Sequence, residues 1–190
     1  MNDSFINSQA GKKKLVKTSK FLSLILRHKP ETIGLTLDSQ GWADVNTLID
    51  LARQNDRQIN RSILEQVVAN NDKKRFTFNE DKTKIRANQG HSINVDLALT
   101  PQQPPEHLYH GTATRFLSSI YRQGLLKQNR HHVHLSADRN TAIKVGKRHG
   151  KPVLLTIAAA KMYRDGFQFF LSQNNVWLSD RIPVEYIIEG

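Results

Sequence analysis

Apolar positions in the first hundred residues recur with two periods, and the switches between them lay out the elements. In KKKLVKTSKFLSLILRHKP, Leu15, Leu22, Ile25 and Leu26 fall three, four and seven residues apart, one stripe of an amphipathic helix. Pro30 limits that helix, because proline lacks the backbone donor and disfavours helical backbone just before it. LTLDSQGWADV sets β-type residues on both sides of a Ser-Gln-Gly turn and predicts a hairpin-like connection. VNTLIDLARQ (Val45 to Gln54) predicts a second helix. Ile59 to Asn71 predicts a third, with Asn60 as its N-cap. RFTFNEDKTKIRA predicts a β-hairpin in which Phe76 and Phe78 alternate, Asn79 to Lys82 turn and Ile85 returns.

Beyond residue 107 the pattern changes. Leu108-Tyr109-His110 reads as a short strand entering Gly111-Thr112, and Thr114 to Arg122 as a helix stopped by Gly124. HVHLSAD reads as a strand, RNTAIKVGKRHG as a helix ending at Gly150, and VLLTIAA as a buried strand. FQFFLS, NVWLS and VEYII are short β-runs. Between the halves, TPQQPPEH carries Pro101, Pro104 and Pro105, which favour an extended connector. The expected class is α+β. A three-helix-and-hairpin lobe over residues 1–99 has the pattern of a winged-helix module. A linker covers 100–107, and a compact split-sheet lobe covers 108–190. Such a pattern names an architecture and leaves function open.

Charge narrows the partners. Among 190 residues, 28 Lys and Arg against 17 Asp and Glu leave a net +11, which attracts polyanions and points to nucleic acid or another phosphorylated ligand. No apolar run approaches the roughly 18–20 residues of a membrane span, and MNDSFINSQAGKKK has no leader-like apolar stretch. The absence of cysteine excludes disulfides, thiol nucleophiles and cysteine-ligated metals, and fits a reducing compartment. The expected location is the cytoplasm, away from membranes and with no obligate protein partner evident.

Each candidate site admits a bland reading beside the functional one. Arg27 and His28 close the first predicted helix, where cations commonly complement the dipole. KIRANQGHS carries Arg86 out of the hairpin into a glycine-bearing polar loop that suits a phosphate, or merely solvent. YHGT puts His110 at a strand end, followed by Gly111, which permits close backbone approach to a ligand, and Thr112, which serves equally as a cap. In NRHHVHLSAD, His132 and His134 share a strand face, but no nearby carboxylate or cysteine completes a metal set. VGKRHG ends a helix with Arg148 and His149. No nucleophile–base pair, Walker loop or acid pair stands out. The residues therefore describe a basic pocket that would act by holding charge.

Taken together and in order, LSLILRH, WADVNTLI, IRANQGHS, LYHGT, HVHLSAD, VGKRHG and IPVEYI resemble the RNA 2'-phosphotransferase family, the KptA-type enzymes known in eukaryotes from the end of tRNA splicing. The match runs from about Leu15 to Ile187 and is similar to bacterial members. The resemblance implies a winged-helix RNA-binding lobe, an ADP-ribosyltransferase-like lobe that binds NAD, and a substrate cleft between them. It carries the family's Arg-His-Arg-Arg set onto Arg27, His28, Arg86 and Arg148. It maps a His-His-apolar triad onto His110, His134 and Val176, with Gly111, Thr112 and Ser136 lining the NAD pocket. Val176 stands where relatives that modify proteins carry Glu. The implied reaction consumes NAD. The RNA 2'-phosphate displaces nicotinamide to give a 2'-phospho-ADP-ribosylated RNA. The ADP-ribose 2''-hydroxyl then attacks phosphorus, releasing 2'-hydroxyl RNA and ADP-ribose 1'',2''-cyclic phosphate. Two other readings stay open: ADP-ribosylation of nucleic-acid terminal phosphates, and a non-enzymatic winged-helix nucleic-acid binder.

Overall fold

Helix α1 (Gln9–Arg27) buries Leu22, Ile25 and Leu26 completely, the same stripe that its sequence period selects. The structure is a computed structural model that describes residues 9–70 and 73–188. It divides into two units, residues 1–98 and 99–190, each with its own hydrophobic core.

In the first unit, α1 gives way to a 3-10 turn, Pro30–Ile33, capped by Gly34 in the left-handed region at φ 69°. Strand β1 (Ala43–Asp44) leads into α2 (Val45–Gln54), whose bounds match the predicted ones. The Asp44 carboxylate caps α2 by accepting from Thr47 N at 2.7 Å. Helix α3 (Arg61–Ala69) is capped as expected, Asn60 Oδ1 accepting from Ile63 N at 2.9 Å, while Asn71 lies outside the described residues. The predicted hairpin forms from β2 (Phe76–Phe78) and β3 (Lys84–Ala87), with Phe78 opposite Ile85.

The hairpin expected at 35–45 does not form as a pair of its own strands. Asp38 instead closes a turn, its carboxylate accepting from Gln40 N at 3.0 Å and Trp42 N at 2.9 Å. Only the second arm becomes a strand, and it pairs with β3, giving the order β1-β3-β2. A long-range edge has outcompeted the local partner.

In the second unit the elements are β4 (Leu108–Ala113), α4 (Leu117–Gln123), β5 (Leu125–Leu126), β6 (Val133–Leu135), α5 (Arg139–Gly146) and β7 (Pro152–Ile157). They continue with α6 (Ala159–Arg164), β8 (Phe170–Leu171), β9 (Trp177–Ser179), β10 (Arg181–Ile182) and β11 (Ile187–Ile188). Two three-stranded sheets, β11-β7-β4 and β6-β9-β8, meet at a single residue pair. There Tyr109 and Ser136 exchange N–H···O bonds of 2.8 and 2.9 Å. The α+β expectation holds. Helix α6 is absent from the sequence reading because six residues are too short to show a period. In VEYII, Pro183 starts a 3-10 turn over Val184–Tyr186, so only the last two residues extend. The proline-rich segment is itself tied down: Gln102 N donates to Phe169 O at 2.8 Å. Among the described residues no helix is long and apolar enough to cross a membrane.

Candidate active site

The C-terminus of α1 presents Arg27 and His28, and one loop organises them. Ser92 N donates to the Arg27 carbonyl at 2.9 Å, and a 2.9 Å hydrogen bond joins Ser92 Oγ to His28 Nδ1. The helix end thus gains a donor for one of its unsatisfied carbonyls and a tether for the imidazole. The same loop starts at Asn88, fastened by its main-chain N–H to Arg75 O and by Nδ2 to Lys74 O. It turns at Gly90, φ 86°, and buries His91 against Gly41. Arg27 Nη2 lies 3.4 Å from the Arg75 carbonyl, and its guanidinium stands 5.8 Å from the Phe76 ring.

Arg86 reaches the 38–42 turn on the other side of that loop. Its guanidinium lies 4.4 Å over the Trp42 ring, which faces it because Ala43 pairs with Ile85 one residue away. Nη1 meets the Gln40 carbonyl at a long 3.4 Å, and Nε, though buried, has no hydrogen-bond partner among the described residues. Burial draws the Arg86 pKa down from its ordinary value while Asp38 opposes the shift. An arginine so placed keeps its charge. It is a flat, half-buried cation with underused donors, the form that binds an anionic oxygen in two places.

In the second unit the two histidines are joined. His110 Nδ1–H donates to the His134 carbonyl at 3.0 Å, which leaves Nε2 of His110 as the lone-pair nitrogen. Burial pushes the His110 imidazole below its usual value. The carbonyl bond opposes this, and nearby His149 and Arg130 add to it. His134 has the complementary arrangement. Arg130 Nη1 donates to His134 Nδ1 at 2.7 Å, so the neutral ring carries its proton on Nε2. The His110 shift has a thermodynamic sign. The unfolded ring takes up a proton near about 6.5 and the folded ring resists it. Its stabilisation is therefore whole above that pH and is lost as pH falls below it. Thermal melts between about pH 8 and pH 5 should show a falling midpoint, and His110→Asn should flatten the slope. His132, also pushed down by burial, adds slope of the same sign. An unflattened slope in the variant removes His110 as a cause.

The other second-unit candidates divide. Gly111 is buried in β4, and the space a side chain would need is filled by α5: an added Cβ would stand 1.7 Å from Ala142 O. The close approach that the glycine permits is made by the protein's own helix. Gly146 repeats this against the main chain of buried Thr112, at 2.6 Å from its carbonyl oxygen. That packing carries the 3-10 turn Lys147–His149, where Arg148 is exposed. Ser136 spends its hydroxyl on the turn before α5, donating to Asp138 O and accepting from Asp138 N, each at 3.0 Å. Val176 sits where β9 begins, its main chain bound to Ser172 Oγ through N–H at 3.1 Å and C=O at 3.0 Å. In the first unit Ser92 ties Arg27 and His28 together while Arg86 stands on the 38–42 turn, and the second unit joins His110 with His134. Gly111, Thr112 and Ser136 adjoin that pair through β4 and its bridge to Ser136, while Val176 stands at the start of β9, the strand paired with β6.

Comparison with known proteins decides the family. A model described as RNA 2'-phosphotransferase, Tpt1 / KptA family, matches residues 13–181. A probable RNA 2'-phosphotransferase of Flavobacterium johnsoniae is 59% identical over 169 residues, 89% of this chain and 93% of its own. Proteins with the same description from Acaryochloris marina and Pseudomonas aeruginosa are 55% and 54% identical, covering 92% and 94% of this chain and 97% and 99% of theirs. The chain belongs to the RNA 2'-phosphotransferase family. That is a family of transferase enzymes, so the non-enzymatic reading falls away.

For a member of the RNA 2'-phosphotransferase family, the geometry adds residues that the sequence reading passed over. Trp42 supplies the plate beneath Arg86, Ser92 tethers His28, and Arg130 sets the His134 tautomer. Arg130 had a legible cue, lying four residues before His134 in NRHHVH. Trp42 had none, since its pairing opposite Arg86 depends on a register between distant strands. Among the described residues, no group of three or more His, Asp or Glu is arranged to hold a metal.

Proposed function

We propose that this chain removes an internal 2'-phosphate from RNA with NAD as a consumed co-substrate, passing through a 2'-phospho-ADP-ribosylated RNA. The observation that carries the reading is Arg86: a guanidinium lying over Trp42, with Nη1 held only at 3.4 Å to the Gln40 carbonyl, is suited to a phosphate. Family membership supports the RNA 2'-phosphate as that anion. Three helices with a hairpin support a winged-helix lobe. The two sheets joined at one residue pair support an ADP-ribosyltransferase-like lobe.

The second unit suits NAD on chemical grounds. Its nicotinamide is cationic, and a protonated imidazole beside it would repel it; burial keeps His110 neutral. His110 and His134 would seat the nicotinamide riboside end, with Gly111, Thr112, Ser136 and Val176 keeping the frame rigid around them. NAD supplies an anomeric carbon whose leaving group needs no protonation. The 2'-phosphate arrives already anionic, so the chain need not provide a general base for it. Its task is to hold two anionic partners without letting them repel, which permanently charged arginines do. Arg86 and Arg148 are assigned to the 2'-phosphate. Arg27 and His28 are assigned to transesterification, where the 2''-hydroxyl must lose a proton and charge builds on the phosphorane oxygens. The Ser92 bond orients His28 for that transfer.

The test is a short RNA bearing one internal 2'-phosphate, incubated with the purified protein with and without NAD. The expected products are 2'-hydroxyl RNA, nicotinamide and ADP-ribose 1'',2''-cyclic phosphate, formed only with NAD. Phosphate loss without NAD would remove the co-substrate from the reading. Stable ADP-ribosylated ends with no cyclic phosphate would shift it to terminal-phosphate modification.

A further inference from the structure

Helices α1 and α3 pack against each other in the first unit and leave a groove of about 390 Å³ along their seam. Its charged residues are Lys20, Lys73 and Arg75, and its apolar floor comes from Leu15, Val16 and Val67. Val16 is 57% exposed, so the apolar part of the groove lies open to solvent. The α1 wall is one-signed, carrying Lys12, Lys13, Lys14, Lys17, Lys20 and Arg27 with no carboxylate along its length, while Glu65 of the α3 wall is engaged by Arg61 and Lys82.

The groove also leads to the site. Arg75 lines it and brings its Nη1 to within 3.5 Å of Ser19 Oγ, while the Arg75 carbonyl is the group that Arg27 Nη2 approaches. Lys20 and Arg27 are seven residues apart on one helix, about 10 Å along the axis. They lie on one face, because seven residues are nearly two turns.

We infer that this groove binds the backbone of the single-stranded RNA flanking the 2'-phosphorylated nucleotide, one or two nucleotides from it. Cations over an apolar floor suit a chain of phosphates joined by riboses. A groove of this size holds a short stretch of one strand laid along it, and is too small for a duplex. Among the residues lining the groove there is no aromatic platform on which a base could stack, so the groove engages the backbone first. This rests on RNA being the substrate.

The test compares a dinucleotide carrying the internal 2'-phosphate with the same unit extended by several nucleotides on its 5' or its 3' side. Each is presented at saturating NAD to the wild type and to Lys20→Ala/Lys73→Ala. Both lysines are exposed, and circular dichroism checks that the variant is folded. In the wild type, extension on one side should lower KM. In the double variant that advantage should disappear while dinucleotide turnover stays unchanged. The slope of log kcat/KM against log salt should shrink by about 1.4, roughly 0.7 for each single-strand phosphate that a lysine no longer neutralises. The inference is overturned if extension on neither side helps the wild type, or if the variant keeps both the advantage and the salt slope. Failure of the functional reading looks different. No substrate would then turn over, while fluorescence anisotropy of labelled RNA would still report whether the two lysines carry the length and salt dependence of binding.

Discussion

Replacing Arg86 by Lys is expected to lower turnover of 2'-phosphorylated RNA nearly as far as replacing it by Ala, by about 10²–10³-fold, without a matching loss of stability. The charge is the same in the Lys variant; what disappears is the flat fork. Arg86 lies 4.4 Å over Trp42, with Nη1 only loosely engaged at 3.4 Å and, among the described residues, no acceptor for Nε. An ammonium group on a flexible stem neither stacks in that way nor offers two parallel donors to one phosphate. The fold gains little from the side chain, because a half-buried cation without good partners costs about as much as it returns. Steady-state kinetics set beside a thermal melt separates the two effects. The assignment fails if Lys restores wild-type turnover, because a point charge would then suffice. It fails in another way if both variants unfold, because Arg86 would then be structural. Trp42→Leu should reproduce part of the deficit by removing the plate while leaving the guanidinium.

What the sequence made legible divides along the range of the interactions involved. Helix α2 could be drawn to its last residue because its apolar spacing is local, as is the Asp44 cap that the structure adds. The β2–β3 hairpin was readable for the same reason, its turn and both strands lying within twelve residues. Asn60, Arg86 and the two strand histidines could be placed on their elements. What they face could not. Trp42 beneath Arg86, Ser92 on His28 and α5 on Gly111 join segments 31 to 64 residues apart, beyond the reach of any period. The failed hairpin at 35–45 has the same origin, since β3 offered β1 a better edge than the neighbouring residues did. Gly111 is the most instructive case. Its sequence context reads as a point of close approach to a ligand, but a glycine does not say what approaches, and here the space is taken by a carbonyl of α5.

That packing sets the largest stability effect to be expected from a single methyl group. A Cβ at position 111 would lie 1.7 Å from Ala142 O, 2.5 Å from Ala142 C and 2.9 Å from Gly146 N, all main-chain atoms. No side chain can rotate away. Relief requires α5 to lift from β4, and Gly146 against the Thr112 carbonyl shows that the seam is closed from both sides. Ordinary overpacking costs about 1–3 kcal/mol; an obstruction by backbone should exceed that and remove much of a domain's typical 5–15 kcal/mol. Gly111→Ala is therefore expected to unfold or loosen the second unit at temperatures where the wild type is intact. The two tryptophans allow this to be localised, since Trp42 belongs to the first unit and Trp177 to the second. In a Trp42→Phe background, Trp177 emission should report early melting; in a Trp177→Phe background, Trp42 should melt near its usual temperature. Gly166→Ala is the control, with φ 94° but nothing within 4 Å, so it carries backbone strain alone and should cost about 1 kcal/mol. If Gly111→Ala costs no more than this control, α5 does not rest on β4 in the way described, and the support of the Arg148 turn must be sought elsewhere.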